Sequence, residues 1–308
     1  MKKLISLLLA VCMALALCVP ALAAREGEER VVIGADISED QILSVYAQFG
    51  LMRGAVKELT VTNAEERNYL EGLVSESVIG TRSISCVYIK LLGENAGLTV
   101  TTNNISWCTE DMYKSALMTA GIYDAEVKVG APFAVSGTAA LTGIYKAYED
   151  ITGVQLEEEA KSVAADELII TAELADAISE AIDNGEVTID GDAVAEEVSN
   201  ADAVAIVNDL KLILDETQKM SDDELRAEII KIAEQYGYTL DEEMIQRLIN
   251  LCRSMEGLSI AELQEKVEQF KSTVETVTGY ANQAVTFGQK VAAFFQRIAE
   301  AFRSIFGG

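Results

Sequence analysis

Pro132-Phe133-Ala134-Val135-Ser136-Gly137-Thr138 runs from an extended segment into a helix. A glycine between two hydroxyls at a helix N-terminus can hold an anion or a carboxylate. Thr109, which opens an earlier helix, and the lone Trp107 are the next candidates. The plainer reading of the first stretch is a helix cap on a connecting loop. Ser136, Gly137, Thr138, Thr109 and Trp107 therefore enter as ligand-binding candidates, and no catalytic residue is assigned.

Asp183-Asn184-Gly185-Glu186 through Asp190-Gly191-Asp192 is the nearest approach to a calcium loop. Such a loop needs ligands at alternate positions, a glycine at the sixth and a glutamate at the twelfth, and the spacing here fails. It reads as a helix stop followed by a tight turn, and no metal site is expected. Glu157-Glu158-Glu159 and Asp222-Asp223-Glu224 sit at helix starts, where negative charge stabilises the macrodipole. A pair of carboxylates could still do hydrolytic work, but it acts by separation in space, which chain spacing does not reveal.

The chain has no histidine. That removes Ser–His–Asp and Cys–His hydrolases and the usual catalytic zinc sites. No serine has a lysine three residues on, and neither phosphate-binding glycine loop occurs. No cofactor is expected, and any enzyme here would be a carboxylate- or serine-based hydrolase working without imidazole.

The N-terminus supplies an address. Lys2-Lys3, an apolar run from Leu4 to Val19, Pro20 and then Ala21-Leu22-Ala23 have the form of a secretory signal, with cleavage between Ala23 and Ala24. The run is too short for a membrane span. Loss of residues 1–23 takes Lys2 and Lys3 and moves the formal charge from -26 to about -28. So acidic a surface argues against nucleic acid as a partner. Cys12 and Cys18 leave with the signal, and Cys86, Cys108 and Cys252 remain. They read as ordinary buried thiols, with a Cys86–Cys108 bridge as the alternative.

The elements that must position these residues change character near Gly153. Before it, strand-like segments alternate with short helices; after it, the chain is helical and rich in Ala, Glu, Leu and Ile. Ser38-Glu39-Asp40 opens a helix ending at Gly50, and Thr109-Glu110-Asp111 opens one ending at Gly121, at a common offset (109 − 38 and 121 − 50 agree). Asn63 with Glu66 reads as a capping box for the next helix of the first copy, and Ser136 as the cap of its counterpart. Each copy thus reads strand–helix–strand–helix, with strands at Arg30–Ala35, Lys57–Thr62, Leu98–Ile105 and Glu126–Ala131. A further strand, Ser83–Leu92, lies between them.

The second half reads as helices at Leu156–Asn184, Ala193–Thr217, Asp222–Tyr236, Asp241–Ser254, Ile260–Gly279 and Ala281–Phe306. Ser221/Glu224, Thr239/Glu242 and Ser259/Glu262 have capping-box spacing. The fold class expected is α+β: a duplicated strand–helix–strand–helix domain with a mixed sheet over residues 24–152, then an all-helical domain over 153–308. The last helix carries Phe287, Phe294, Phe295 and Phe302 near one stripe, which suits packing, self-association or membrane contact.

Several strings together resemble one family. Ser83-Ile84-Ser85-Cys86-Val87-Tyr88-Ile89, Gly97-Leu98-Thr99-Val100, Thr119-Ala120-Gly121-Ile122 and Val135-Ser136-Gly137-Thr138-Ala139-Ala140-Leu141-Thr142-Gly143 resemble the domain of unknown function 1002 family. The resemblance covers Arg30 to Gly153 well and the helical remainder loosely. Cys86 stands where a second serine is expected. The resemblance implies export and a bacterial envelope setting, and it transfers no catalytic residue. Together these readings point to a secreted, non-enzymatic envelope module with an unidentified envelope ligand or protein partner.

Overall fold

The computed structural model describes residues 25–72, 79–185 and 195–277. The expected signal with Ala23 and Ala24, the Glu186–Asp192 stretch and the expected helix bearing Phe287, Phe294, Phe295 and Phe302 lie outside the described residues.

The fold is α+β, built on a mixed five-stranded sheet. The first strand, β1 (Glu29–Gly34), is rich in Val and Ile and is buried over its last four residues. It leads to α1 (Glu39–Phe49), capped by Ser38 in a reciprocal box with Gln41 and stopped by Gly50 at φ +74. Next come β2 (Lys57–Val61), α2 (Asn63–Leu70), β3 (Cys86–Leu91) and β4 (Leu98–Ile105). Helix α3 (Glu110–Thr119), capped by Thr109, then β5 (Ala125–Val135) and α4 (Ala140–Thr152) complete the sheet region.

The strand order is β2-β1-β3-β5-β4. The β1/β2 and β4/β5 pairs are parallel, and β3 runs antiparallel to both β1 and β5. Four strands therefore end on the same side of the sheet.

Alternation along the strands sorts the core into two faces. Val31, Ile33, Cys86 and Tyr88 pack with Ile42, Val45, Tyr46 and Phe49 of α1. Val32 and Val87 face the other way, onto α4 at Gly143. Val100 is buried while Thr99, Thr101 and Asn103 are exposed, so α3, which packs on β4, lies on the α4 side. The strand–helix–strand–helix order thus occurs twice, and α1 and α3 cover opposite faces of the sheet.

Beyond Gly153, at φ +68, the chain is helical. Helix α5 (Glu158–Asp183) packs on α3 and on α6 (Ala195–Leu212). A short α7 (Leu214–Thr217), α8 (Asp222–Gln235), α9 (Glu242–Met255) and α10 (Ile260–Val277) follow. The described residues up to Gln264 form one unit, and a second begins at Glu265. No helix among the described residues is long and apolar enough to cross a membrane.

Four local expectations are corrected. Thr62 caps α2 in a box with Glu65, because Glu66 is turned inward onto Ser83. Helix α4 starts from Ala139 without a side-chain cap, so Ser136 is not its cap. Asp241, accepting from Met244 N, replaces Thr239 as the cap of α9. The helix expected over Ala193–Thr217 breaks at Ile213, and Gln264 Nε2 donates to the Leu212 carbonyl there at 2.9 Å.

Candidate functional site

The ends of β4 and β5 carry the loops that hold the candidate residues. Cys108 N donates to Ser136 O at 3.1 Å and Ser106 N to Val135 O at 2.9 Å, so the two loops are laced together. Gly137 takes φ +98, and a Cβ there would come within 2.5 Å of Ile105 Cγ2 and of Tyr113 Oη. Only glycine fits. The Tyr113 hydroxyl donates to Gly137 O at 2.6 Å, which ties this loop to α3. Ser136, Gly137 and Thr138 therefore form the backing of the site, with Thr138 buried at 1% exposure.

Trp107 and Thr109 stand in front, on the wall of a cleft of about 380 Å³. The Trp107 indole Nε1 donates to Asp176 Oδ2 of α5 at 2.8 Å. Thr109 Oγ1 accepts from Met112 N at 3.3 Å as the cap of α3. Glu110, Asp176 and Glu196 bring three carboxylates to the wall, and Ser199 and Asn200 of α6 add a hydroxyl and an amide. Among the described residues no lysine or arginine lines it. Chemically this is a receptor for hydrogen-bonding, cationic or stacking groups.

A second cluster has the atoms of a serine–lysine dyad. Lys211 Nζ donates to Glu167 Oε1 at 2.6 Å, and to Ser115 O and Ser115 Oγ at 2.9 Å each. Three ammonium protons thus meet three oxygens. Ser115 Oγ donates to Glu167 Oε1 at 2.7 Å and the Thr119 hydroxyl to Glu167 Oε2. Burial pulls the Lys211 ammonium below its ordinary value, and the Glu167 carboxylate opposes that. Ser115, Glu167 and Lys211 are each 0% exposed. Among the described residues the hydroxyl is fully covered, and the arrangement joins α3, α5 and α6 as a satisfied buried ion pair. Removing one partner from such a pair costs about 3–5 kcal/mol.

The three cysteines among the described residues are free and buried. Burial pushes each of the Cys86, Cys108 and Cys252 thiols up to about 12, which leaves them unreactive at neutral pH. Among the described residues no group of three or more acids and cysteines is placed to hold a metal ion.

Asp176, Glu196 and Ser199 escaped the reading of the sequence because packing of α5 and α6 delivers them. The buried pair did leave a trace. Lys211 is the lone charge inside the apolar run Leu210–Leu214, and Glu167 shares Val163–Ile170 with Asp166 alone.

Sheet, helical layer and cleft define a mixed α+β protein with an acidic cleft at the carboxyl ends of two parallel strands. The chain belongs to the family described as Protein of unknown function (DUF1002), whose model matches residues 33–277. It is 35% identical over 286 residues to the Bacillus subtilis (strain 168) protein named Uncharacterized protein YpuA, covering 91% of this chain and 90% of that one. No solved structure matches it.

Proposed function

We propose that this chain is an exported protein of the bacterial envelope and acts as a non-enzymatic binding module, with the Trp107 cleft as its ligand site. The cleft carries the reading. An indole, three carboxylates and an amide converge at the carboxyl ends of β4 and β5, where open α/β sheets take their ligands. The hydroxyl–amine pair that could do covalent chemistry is shut inside the protein.

The Leu4–Val19 run and Ala21-Leu22-Ala23 support export with cleavage before Ala24. The formal charge of -26 supports a partner other than nucleic acid. The stop at Gly153 supports a sheet domain over 24–152 and a helical one over 153–308. Self-association or membrane contact through Phe287, Phe294, Phe295 and Phe302 belongs to the same reading.

The test uses the chain lacking residues 1–23 and purified cell-wall sacculi. Co-sedimentation that is lost in Trp107→Ala, with no soluble fragments released, is expected. Fragment release that disappears in Ser115→Ala would overturn this in favour of a histidine-independent hydrolase. The 2.9 Å contact of Ser115 Oγ with Lys211 Nζ is what favours that second reading.

A further inference from the structure

The cleft lies alongside an open edge of the sheet. Strand β4 is last in the order β2-β1-β3-β5-β4 and, among the described residues, pairs with β5 alone. The Gly97 carbonyl accepts from Ala125 N at 3.2 Å, so Gly97 faces inward. The alternation of a strand then turns the backbone groups of Leu98, Val100 and Thr102 outward. Thr102 obeys this: its N–H is taken at 3.2 Å by Glu110 Oε1, a side chain and not a strand. A charged side chain on an edge N–H keeps a sheet from pairing with stray chains. Here the same carboxylate forms part of the cleft wall.

We propose that the cleft takes an extended peptide segment bearing lysine or arginine, which adds to β4 at Thr102 and sets its cations among Glu110, Asp176 and Glu196. This rests on the reading of the cleft as a ligand site and names the occupant. A peptide carbonyl replaces Glu110 on the Thr102 N–H, and the released carboxylate pairs with an incoming cation. Trp107, held through its N–H by Asp176, offers a ring face to a second cation. Main-chain pairing then supplies affinity while the wall selects side chains. The overall charge of -26 draws such a segment in and repels polyanions. A neutral glycan would use Trp107 and the carboxylates but would leave the Thr102 edge idle and gain nothing from the negative charge.

Trp107 is the chain's only tryptophan, so its fluorescence reports the cleft directly. The probes are a blocked Lys-Val-Lys-Val-Lys peptide, the same peptide N-methylated at both valines, its glutamate counterpart, and a wall-glycan tetrasaccharide. The lysine peptide should give a saturable change that the glutamate peptide does not. N-methylation, Glu110→Gln and Glu196→Gln should each weaken binding at least about fivefold, as should raising NaCl from about 50 to about 300 mM. Circular dichroism of both variants separates lost binding from lost fold. Equal binding of the methylated peptide, or indifference to both variants, overturns the proposal. A response to the glycan alone overturns it and leaves the ligand site standing; a response to no probe overturns both.

Discussion

At the scale of single residues, Glu66 shows how burial moves a charge state. Ser83 Oγ lies 2.9 Å from Val61 O and 2.5 Å from Glu66 Oε1, yet a hydroxyl has one proton. The Val61 carbonyl also accepts from Ala35 N at 2.9 Å, and a protonated Glu66 carboxyl can supply the proton of the shorter contact itself. Burial pushes Glu66 up to about 7, assisted by the charges of Asp36 and Glu65 and opposed by hydrogen bonding with Ser83 and Asn63. The folded chain therefore keeps a proton that the unfolded chain has lost above about pH 4.5. Stability from this group is present at low pH and falls as pH rises through that window toward 7, by about 3 kcal/mol. Gln at this position mimics the protonated carboxyl and does not titrate. Urea unfolding from about pH 5 to about pH 8 should show wild type losing stability relative to Glu66→Gln as pH rises. A difference that stays constant, or grows in favour of wild type, contradicts the protonated assignment.

Among the elements, the turn from β5 into α4 is held by geometry rather than by a cap. Gly137→Ala forces a side chain into the left-handed region and against Ile105 and Tyr113, so it should cost about 2 kcal/mol or more. Because this loop backs the cleft, the emission of Trp107 should shift as well. Unchanged emission with a midpoint equal to wild type would show that the turn relaxes freely. The helix boundaries set by chain-local groups were legible in the sequence: Ser38 to Gly50, Thr109 to Gly121 and Ser221 onward are caps and stops that need no distant partner. Where a side chain is claimed by tertiary structure, the local reading slips. Glu66 left its capping box for Ser83, and Ser136 ceded the start of α4 to the Gly137 turn. The common offset likewise carried the order of strands and helices but not the face, since α1 and α3 cover opposite sides of the sheet. Trp107 and Thr109 were legible as candidates because they flank a helix start, and both line the cleft. A search for lysine three residues after serine could not find Ser115 and Lys211, which lie 96 residues apart.

For the molecule as a whole, charge is the dominant variable. Fifty acidic groups face twenty-four basic ones, so most basic side chains are engaged and a large excess of carboxylates remains. Arg30 and Lys57 both reach Asp150, joining β1 and β2 to α4 at 2.6 and 2.7 Å, and Arg253 bridges Asp222 and Glu256. Partly exposed pairs of this kind contribute roughly 0–1 kcal/mol each, and salt weakens them. Repulsion among the surplus acids is also screened by salt, and it is the larger quantity because it sums over the whole surface. The two effects pull stability in opposite directions, which makes the sign of the salt dependence informative. With a net charge of -26, added NaCl should raise the urea midpoint, most steeply below about 0.2 M where the Debye length changes fastest. Urea is the proper denaturant, since guanidinium would itself screen the charges. A midpoint that falls with NaCl would mean that the ion pairs outweigh the surplus. The acid excess would then act on partners at the cleft more than on the fold.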